Sequence, residues 1–458
     1  MRMRKAQDVT TGEAAPVSLS TENVDGRRVI VKVRRRLLPF LAVCLVANYL
    51  DRVNIGFAAL LMNKDLGLSP IVFGLGSGIF FFSYAAFEVP SNYMLERFGA
   101  RIWIARILLS WGVVSGLMAL AWNEGSFLVL RLLLGLAEAG FVPGVVLYLT
   151  YWMPHAYRAV ALSGFMLAIP VSSVIGAPIS GFILEFMQNA GGVKAWQWLF
   201  LIEALPSIAL GVIAFFWLTD RPAQAEWLAP LERTWLQETL DAERAAHPEA
   251  AAHASVRKLL TADVALLSAI YFGVVMTLYG LVFWLPQIMH DFGYSPVAVG
   301  FLSAAPYVVG GLSMYFWSRH VDRRGGHILH AALASLLSCV GLAVCGLLSS
   351  PMLTIIALSV SAAGTFAMFP VFWTLATQRL PPAQATGAIA LINAIAALAG
   401  FLGPYLVGWV KDVTGVFHYA PPVLAIGPLM SALLLFIMMR AAAPANSALP
   451  EHQTRIDG

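Results

Sequence analysis

The chain has 458 residues, of which 59% are hydrophobic and only 12% charged, with a mean hydropathy of +0.75; soluble domains carry about 25% charged residues. That composition excludes a water-soluble globular fold and makes the bilayer the solvent in which the sequence must be read. The net charge of +4 does not indicate a nucleic-acid partner, because the basic residues flank apolar runs instead of forming an aromatic-laced patch.

Residues 1–36 are polar and basic and contain no short apolar stretch ending in a small-residue cleavage site, so they read as a tail ahead of an uncleaved first span. Apolar runs of about 20 residues, long enough to cross a bilayer, follow at 37–59, 71–95, 102–122, 126–148, 159–187 and 197–219. A charged stretch at 220–261 breaks the pattern and reads as a linker; its Trp227, Leu231, Trp235 and Leu236 are spaced for an amphipathic helix on the membrane surface, and a solvated linker fits equally. Six more runs lie at 262–288, 297–318, 327–349, 352–376, 384–410 and 420–440, before a tail at 441–458. The expected architecture is an all-α membrane protein with twelve transmembrane helices in two six-helix bundles, 37–219 and 262–440.

Arg34, Arg35, Arg36, Arg97, Arg101, Arg158, Arg257, Lys258, Arg323, Arg324, Arg379 and Arg440 fall on one side of this arrangement. The positive-inside bias therefore places both termini and the linker in the cytoplasm. The halves also repeat an acid-Arg-x-Gly turn after their second span, Glu96-Arg97-Phe98-Gly99 and Asp322-Arg323-Arg324-Gly325, as duplicated bundles would. Cys44, Cys339 and Cys345 lie within apolar runs and lack CxxC spacing, which indicates neither a disulfide framework nor a metal site. No GxSxG, HExxH or Walker loop is present, so neither an enzyme nor an ATP-driven pump is expected.

Five segments then carry a family resemblance: Tyr49-Leu50-Asp51-Arg52-Val53-Asn54-Ile55-Gly56, Phe87-Glu88-Val89-Pro90-Ser91-Asn92, Arg131 to Gly140, Trp198 to Glu203, and Phe283-Trp284-Leu285-Pro286-Gln287. Together they resemble the anion:cation symporter branch of the major facilitator superfamily. The resemblance implies import of an organic carboxylate with protons through a bacterial inner membrane, by a carrier without a cofactor and working as a monomer among lipids. Some relatives use sodium or exchange anions. It also implies substrate binding by Arg52 and proton handling by Asp51 and Glu138.

Ionisable residues inside spans are costly and usually line a cavity or pair with one another. Asp51, Arg52, Glu88, Arg131, Glu138 and Glu203 all fall in the first half. At 1.5 Å per residue Asp51 stands roughly 21 Å up the first span and Arg131 roughly 8 Å down the fourth. These heights are similar, and an Asp51–Arg131 ion pair is expected. Glu138 lies two turns beyond Arg131, about 10 Å deeper and near the midplane. Burial and a neighbouring arginine tune carboxylates in opposite senses, and two differently tuned acids suit a proton carrier. Arg52 points about 100° away from Asp51, and its planar fork matches a carboxylate. Glu88 and Glu203 are expected to brace gates or loops.

Tyr84 and Asn393 reach the midplane of their spans and are expected to contact substrate, as is Tyr49. Tyr279, Trp284, Gln287, Trp373 and Thr374 are further cavity candidates, with Gly280 and Pro370 expected to interrupt the helices that carry them. The motif Gly176-Ala177-Pro178-Ile179-Ser180-Gly181 resembles that of drug antiporters, which keeps efflux as a rival; a transporter-like sensor is another. The apolar stretches Phe165 to Pro170 and Ala394 to Ala399 leave few partners for hydroxyls, and an unpaired buried hydroxyl costs about 1–3 kcal/mol. A less hydroxylated acid, aromatic or short-chain, is therefore expected over a sugar acid.

Overall fold

The computed structural model describes residues 24–246, 259–380 and 385–446. Residues 1–23 of the expected amino-terminal tail, 247–258 of the linker with Arg257 and Lys258, and 447–458 of the carboxy-terminal tail lie outside the described residues. Every regular element among the described residues is helical. The first half comprises α1 (Gly26–Leu66), α2 (Pro70–Phe98), α3 (Ala100–Leu117), α4 (Glu124–Glu138), α5 (Phe141–Thr150), α6 (His155–Met166), α7 (Ala168–Phe186) and α8 (Ala195–Trp217). After α9 (Pro230–Ala246), the second half comprises α10 (Ala262–Asp291), α11 (Pro296–Arg324), α12 (His327–Cys345), α13 (Pro351–Arg379), α14 (Ala385–Thr414), the short α15 (Ala420–Leu424) and α16 (Ile426–Asn446).

Taking α4 with α5, α6 with α7, and α15 with α16 as single spans, eleven are long and apolar enough to cross a membrane. The twelfth is α1, which carries Asp51 and Arg52 midway along its apolar stretch. It begins at Gly26, well before the expected first span, because the Asp25 carboxylate accepts from the Arg27 and Arg28 amides and caps it.

The duplicated turns have one physical basis. Gly99 and Gly325 close α2 and α11 with φ of 91° and 71° and donate their amides to Leu95 O and Val321 O, a backbone conformation natural only to glycine. The same two helices also start alike. Ser69 and Ser295 cap them through Val72 N and Ala298 N, each ahead of a proline in the first turn.

The two bundles meet where α2 crosses α14 and α7 crosses α11. A Cβ on Gly74 would stand 2.6 Å from Pro404 O, and one on Gly300 would stand 2.6 Å from Ala177 O. Small residues allow such backbone approach in a membrane. Gly181 of the antiporter-like motif packs against Pro296 O in the same crossing, so that motif serves helix packing here. Both crossings lie toward the end of the molecule that holds the α1–α2, α7–α8 and α10–α11 turns, and the bundles are closed on each other there.

At the opposite end, α9 is strapped to the first bundle. Its Leu236 and Leu240 are buried, Trp227 stacks on Trp152, and Arg36 lies over Trp227 and Trp217. Lys32 pairs with Glu232 and Arg158 with Glu243. Partial desolvation of Glu232 is outweighed by Lys32 and the Ala229 amide, which hold its carboxyl below the ordinary range. The amphipathic face expected for the membrane surface is thus spent on the protein itself.

Candidate functional site

The centre of the first bundle is organised by Arg52. It lies on the face of α1 turned toward α4 and α10 and is 6% exposed. Its Nη2 pairs with Glu138 Oε1, and its Nη1 donates to Tyr279 Oη over 2.9 Å. The guanidinium carbon sits 4.9 Å from the Tyr49 ring centroid, 5.2 Å from Phe80 and 5.6 Å from Tyr84. These rings offer their electron-rich faces to the cation. A buried charge needs a partner and hydrogen bonds; here the first half supplies the carboxylate and the second half the phenol oxygen, while Nε has no hydrogen-bond partner among the described residues.

Glu138 is placed by a break in its own span. Helix α4 ends at Glu138, Ala139 is extended with ψ of 131°, and Gly140 takes φ of 87° before α5 begins. The carboxylate therefore hangs at a helix end near mid-membrane. The expected interruptions at Gly280 and Pro370 do not occur, since α10 and α13 run through them unbroken. Gly280 instead makes room for the Leu424 side chain.

The expected Asp51–Arg131 pair is not formed. Arg131 donates through Nε to Gly76 O over 3.0 Å and through Nη2 to Ser77 O over 3.3 Å, tying α4 to α2. Asp51 faces the other way and accepts from Trp111 Nε1 at 2.8 Å, Ser115 Oγ at 2.7 Å and Ser207 Oγ at 2.6 Å. Similar height was not enough, because the two side chains leave their helices in different directions. The pair that forms is Arg52–Glu138.

Of the other expected residues, Tyr49, Tyr84 and Tyr279 are brought to the guanidinium. Trp373 packs instead into an aromatic group with Tyr271 and Phe372, at 5.0 Å and 5.2 Å between centroids. Asn393 is half-buried on α14. Trp284 donates to Pro404 O over 3.0 Å, and Gln287 accepts from Asn63 Nδ2 over 3.3 Å, so both join helices near the closed end. Thr374 bonds back to Pro370 O within its own helix. Glu88 is half-buried.

Glu203 is not at a loop. It is 4% exposed in the interior of α8 and accepts from Ser180 Oγ over 2.7 Å. Trp111, Ser115, Ser207 and Ser180 were missed from the sequence because isolated hydroxyls and a tryptophan in apolar runs look like packing.

A duplicated helical bundle does not by itself name a family, and the sequence profile does. Residues 41–404 match that of the Major Facilitator Superfamily. The chain belongs to the major facilitator superfamily. It is accordingly a multi-pass membrane transporter and not an enzyme. Two proteins of Agrobacterium vitis named as candidate tartrate transporters resemble this facilitator; one is 46% identical over 418 residues, covering 91% of this chain and 93% of the relative. A protein of Acinetobacter baumannii named as a quinolone resistance transporter is 37% identical over 411 residues, covering 90% and 94%. Among solved structures, a bacterial homologue of the human lysosomal transporter Spinster, in an inward-facing and occupied conformation, superposes with a TM-score of 0.71 at 16% identity, covering 89% of this facilitator and 97% of that chain.

Proposed function

We propose that this facilitator imports a small organic carboxylate together with protons across a bacterial inner membrane, by alternating access of its two bundles. The observation that carries this reading is the Arg52–Glu138 pair inside an aromatic box. Both Nη atoms of Arg52 are already engaged, by Glu138 and Tyr279, so a carboxylate that takes two hydrogen bonds from the guanidinium must displace Glu138 from Nη2. A proton on Glu138 removes the competing charge and leaves the planar fork for the substrate in two hydrogen bonds. Loading of the substrate and loading of the proton are then one event. Tyr279 joins Arg52 across the bundle interface and reports to the second half that the site is filled.

Within this cycle Arg131 positions α4 on α2, Asp51 is a second proton site, and Tyr49, Tyr84, Asn393 and Trp373 line the substrate path. Bundles 37–219 and 262–440 rock about that site, with 1–36, 220–261 and 441–458 cytoplasmic and one chain as the working unit. The relatives named for tartrate support a short-chain acid. The relative named for quinolone resistance favours a second reading, extrusion of an amphiphilic drug.

The test is uptake into proteoliposomes with the outside acidic, comparing tartrate, phthalate, hydroxyphenylacetate, galactonate and glucuronate, with norfloxacin as the drug arm. Accumulation of tartrate or phthalate that collapses with a protonophore, and that a sodium gradient does not replace, is expected. Preference for galactonate or glucuronate would overturn the substrate class. Movement of norfloxacin alone, against the pH gradient, would establish extrusion instead.

A further inference from the structure

On the face of α1 away from Arg52 lies a second buried polar cluster, and one of its members has no role in the cycle above. Glu203 Oε1 accepts from Ser180. Beside Glu203 is the Asn54 side chain, 1% exposed, whose amide reaches the Glu203 carboxyl, although no bond of ordinary geometry joins it to Oε2 among the described residues. Asp51, one turn from Asn54, accepts from Ser207 over 2.6 Å. Ser207 is one turn from Glu203 on α8, and side chains so spaced stand about 5–6 Å apart at Cβ.

Among the described residues no cation faces this cluster. From α1 the charged neighbour is Asp51, while Arg52 is committed to Glu138 on the opposite side. From α3 the facing groups are Trp111 and Ser115, with Arg106 stacked on Trp103 farther along that helix. From α7 it is Ser180, and Glu185 beyond it accepts from Val297 N over 2.9 Å. Lys194, at the start of α8, is paired with Asp65 at 3.1 Å. Two buried carboxylates without a counter-charge are far more costly than one. A hydrogen on Glu203 removes one of the two charges.

The cluster also has a direction. Trp196 Nε1 donates to Asp65 over 2.8 Å, which sets those two residues at one level. From that level Glu203 is roughly 10 Å along α8 and Asp51 roughly 21 Å along α1. Glu203 therefore stands nearer the closed, α1–α2 end.

We propose that Glu203 is a third proton-exchanging residue, handing its proton to Asp51 along the α1–α7–α8 interface and not through the aromatic box around Arg52. This rests on the reading of Asp51 as a proton site. In the transfer, the O–H bond on Glu203 breaks, Ser207 Oγ takes that proton and releases its own to Asp51 Oδ2, and an O–H bond forms there. Glu203 is left as a carboxylate and is reprotonated from the α1–α2 end; one proton moves and no electron does.

The experiment is infrared difference spectroscopy of the full-length protein in lipid after a pH jump, without substrate, reading the C=O stretch of buried protonated carboxyls. Glu203→Gln is expected to lose one band. Ser180→Ala, which keeps the carboxyl and removes its donor, is expected to shift the frequency of that band. In Asp51→Asn the same band is expected to shift its titration midpoint. A Glu203→Gln spectrum identical to the unmodified protein's overturns the proposal, as does an unshifted band in Ser180→Ala should Glu203→Gln not fold. An unmoved midpoint in Asp51→Asn overturns the hand-over. Because no substrate is used, a carboxylate panel without a hit would sink the transport reading and leave this result standing.

Discussion

Glu138→Gln is the sharpest test of the central pair. The substitution preserves size and leaves an amide oxygen to accept from Arg52, but it removes the charge. A hydrogen bond to a charged group contributes about 1.5–3 kcal/mol and a neutral one about 0.5–1.5 kcal/mol. An incoming carboxylate then has about 1.4 kcal/mol less to overcome, which is roughly tenfold in affinity. Calorimetric titration of the reconstituted or detergent-solubilised protein with the acid found by the uptake panel is expected to show affinity rising as pH falls in the unmodified protein. In Glu138→Gln the affinity should be higher and flat with pH. Accumulation driven by a pH gradient should be lost while counterflow exchange survives. Weaker binding in the variant at every pH, with a normal melting temperature, would refute the displacement scheme and make the pair a scaffold between α1 and α4.

Arg52→Lys keeps the charge but loses the fork that bonds Glu138 and Tyr279 together; substrate affinity should fall at least tenfold with the fold intact, and unchanged affinity would remove Arg52 from the site. Gly300→Leu forces atoms onto the Ala177 carbonyl, and overpacking of this kind costs roughly 1–3 kcal/mol. That cost falls on the closed end alone, so spin labels on the α7–α8 and α10–α11 turns should move apart, and an unchanged distance distribution would show that the crossing yields elsewhere.

The broad plan of this protein could be read from hydropathy because a bilayer leaves few ways to satisfy a backbone: the twelve spans, the acid-Arg-x-Gly repeat and the charges gathered in the first half are all present as expected. The partners of those charges could not be read so directly. Depth along a helix follows from counting residues, which is why Asp51 and Arg131 were placed at one height. The direction in which each side chain leaves its helix depends on how neighbouring helices are rotated. Gly76 lets Phe127 pack closely against α2, and Arg131 turns to the nearby carbonyls; Asp51 is claimed by donors on α3 and α8. Neither glycine nor proline marked the break: Gly280 and Pro370 leave α10 and α13 intact, and the span that does break does so at Gly140, which the sequence had not singled out.

The break after Glu138 has an electrostatic consequence of its own. The carbonyls of the last turn of a helix lack intrahelical donors, and their aligned dipoles amount to about half a negative charge at that end. Helix α4 stops at Glu138 and α5 starts at Phe141, so the negative end of one helix and the positive end of the next meet at this break and largely offset each other. The counter-charge of Arg52 is therefore the Glu138 carboxylate and not the backbone, and in the proposed cycle a proton on Glu138 would leave the guanidinium to an incoming anion.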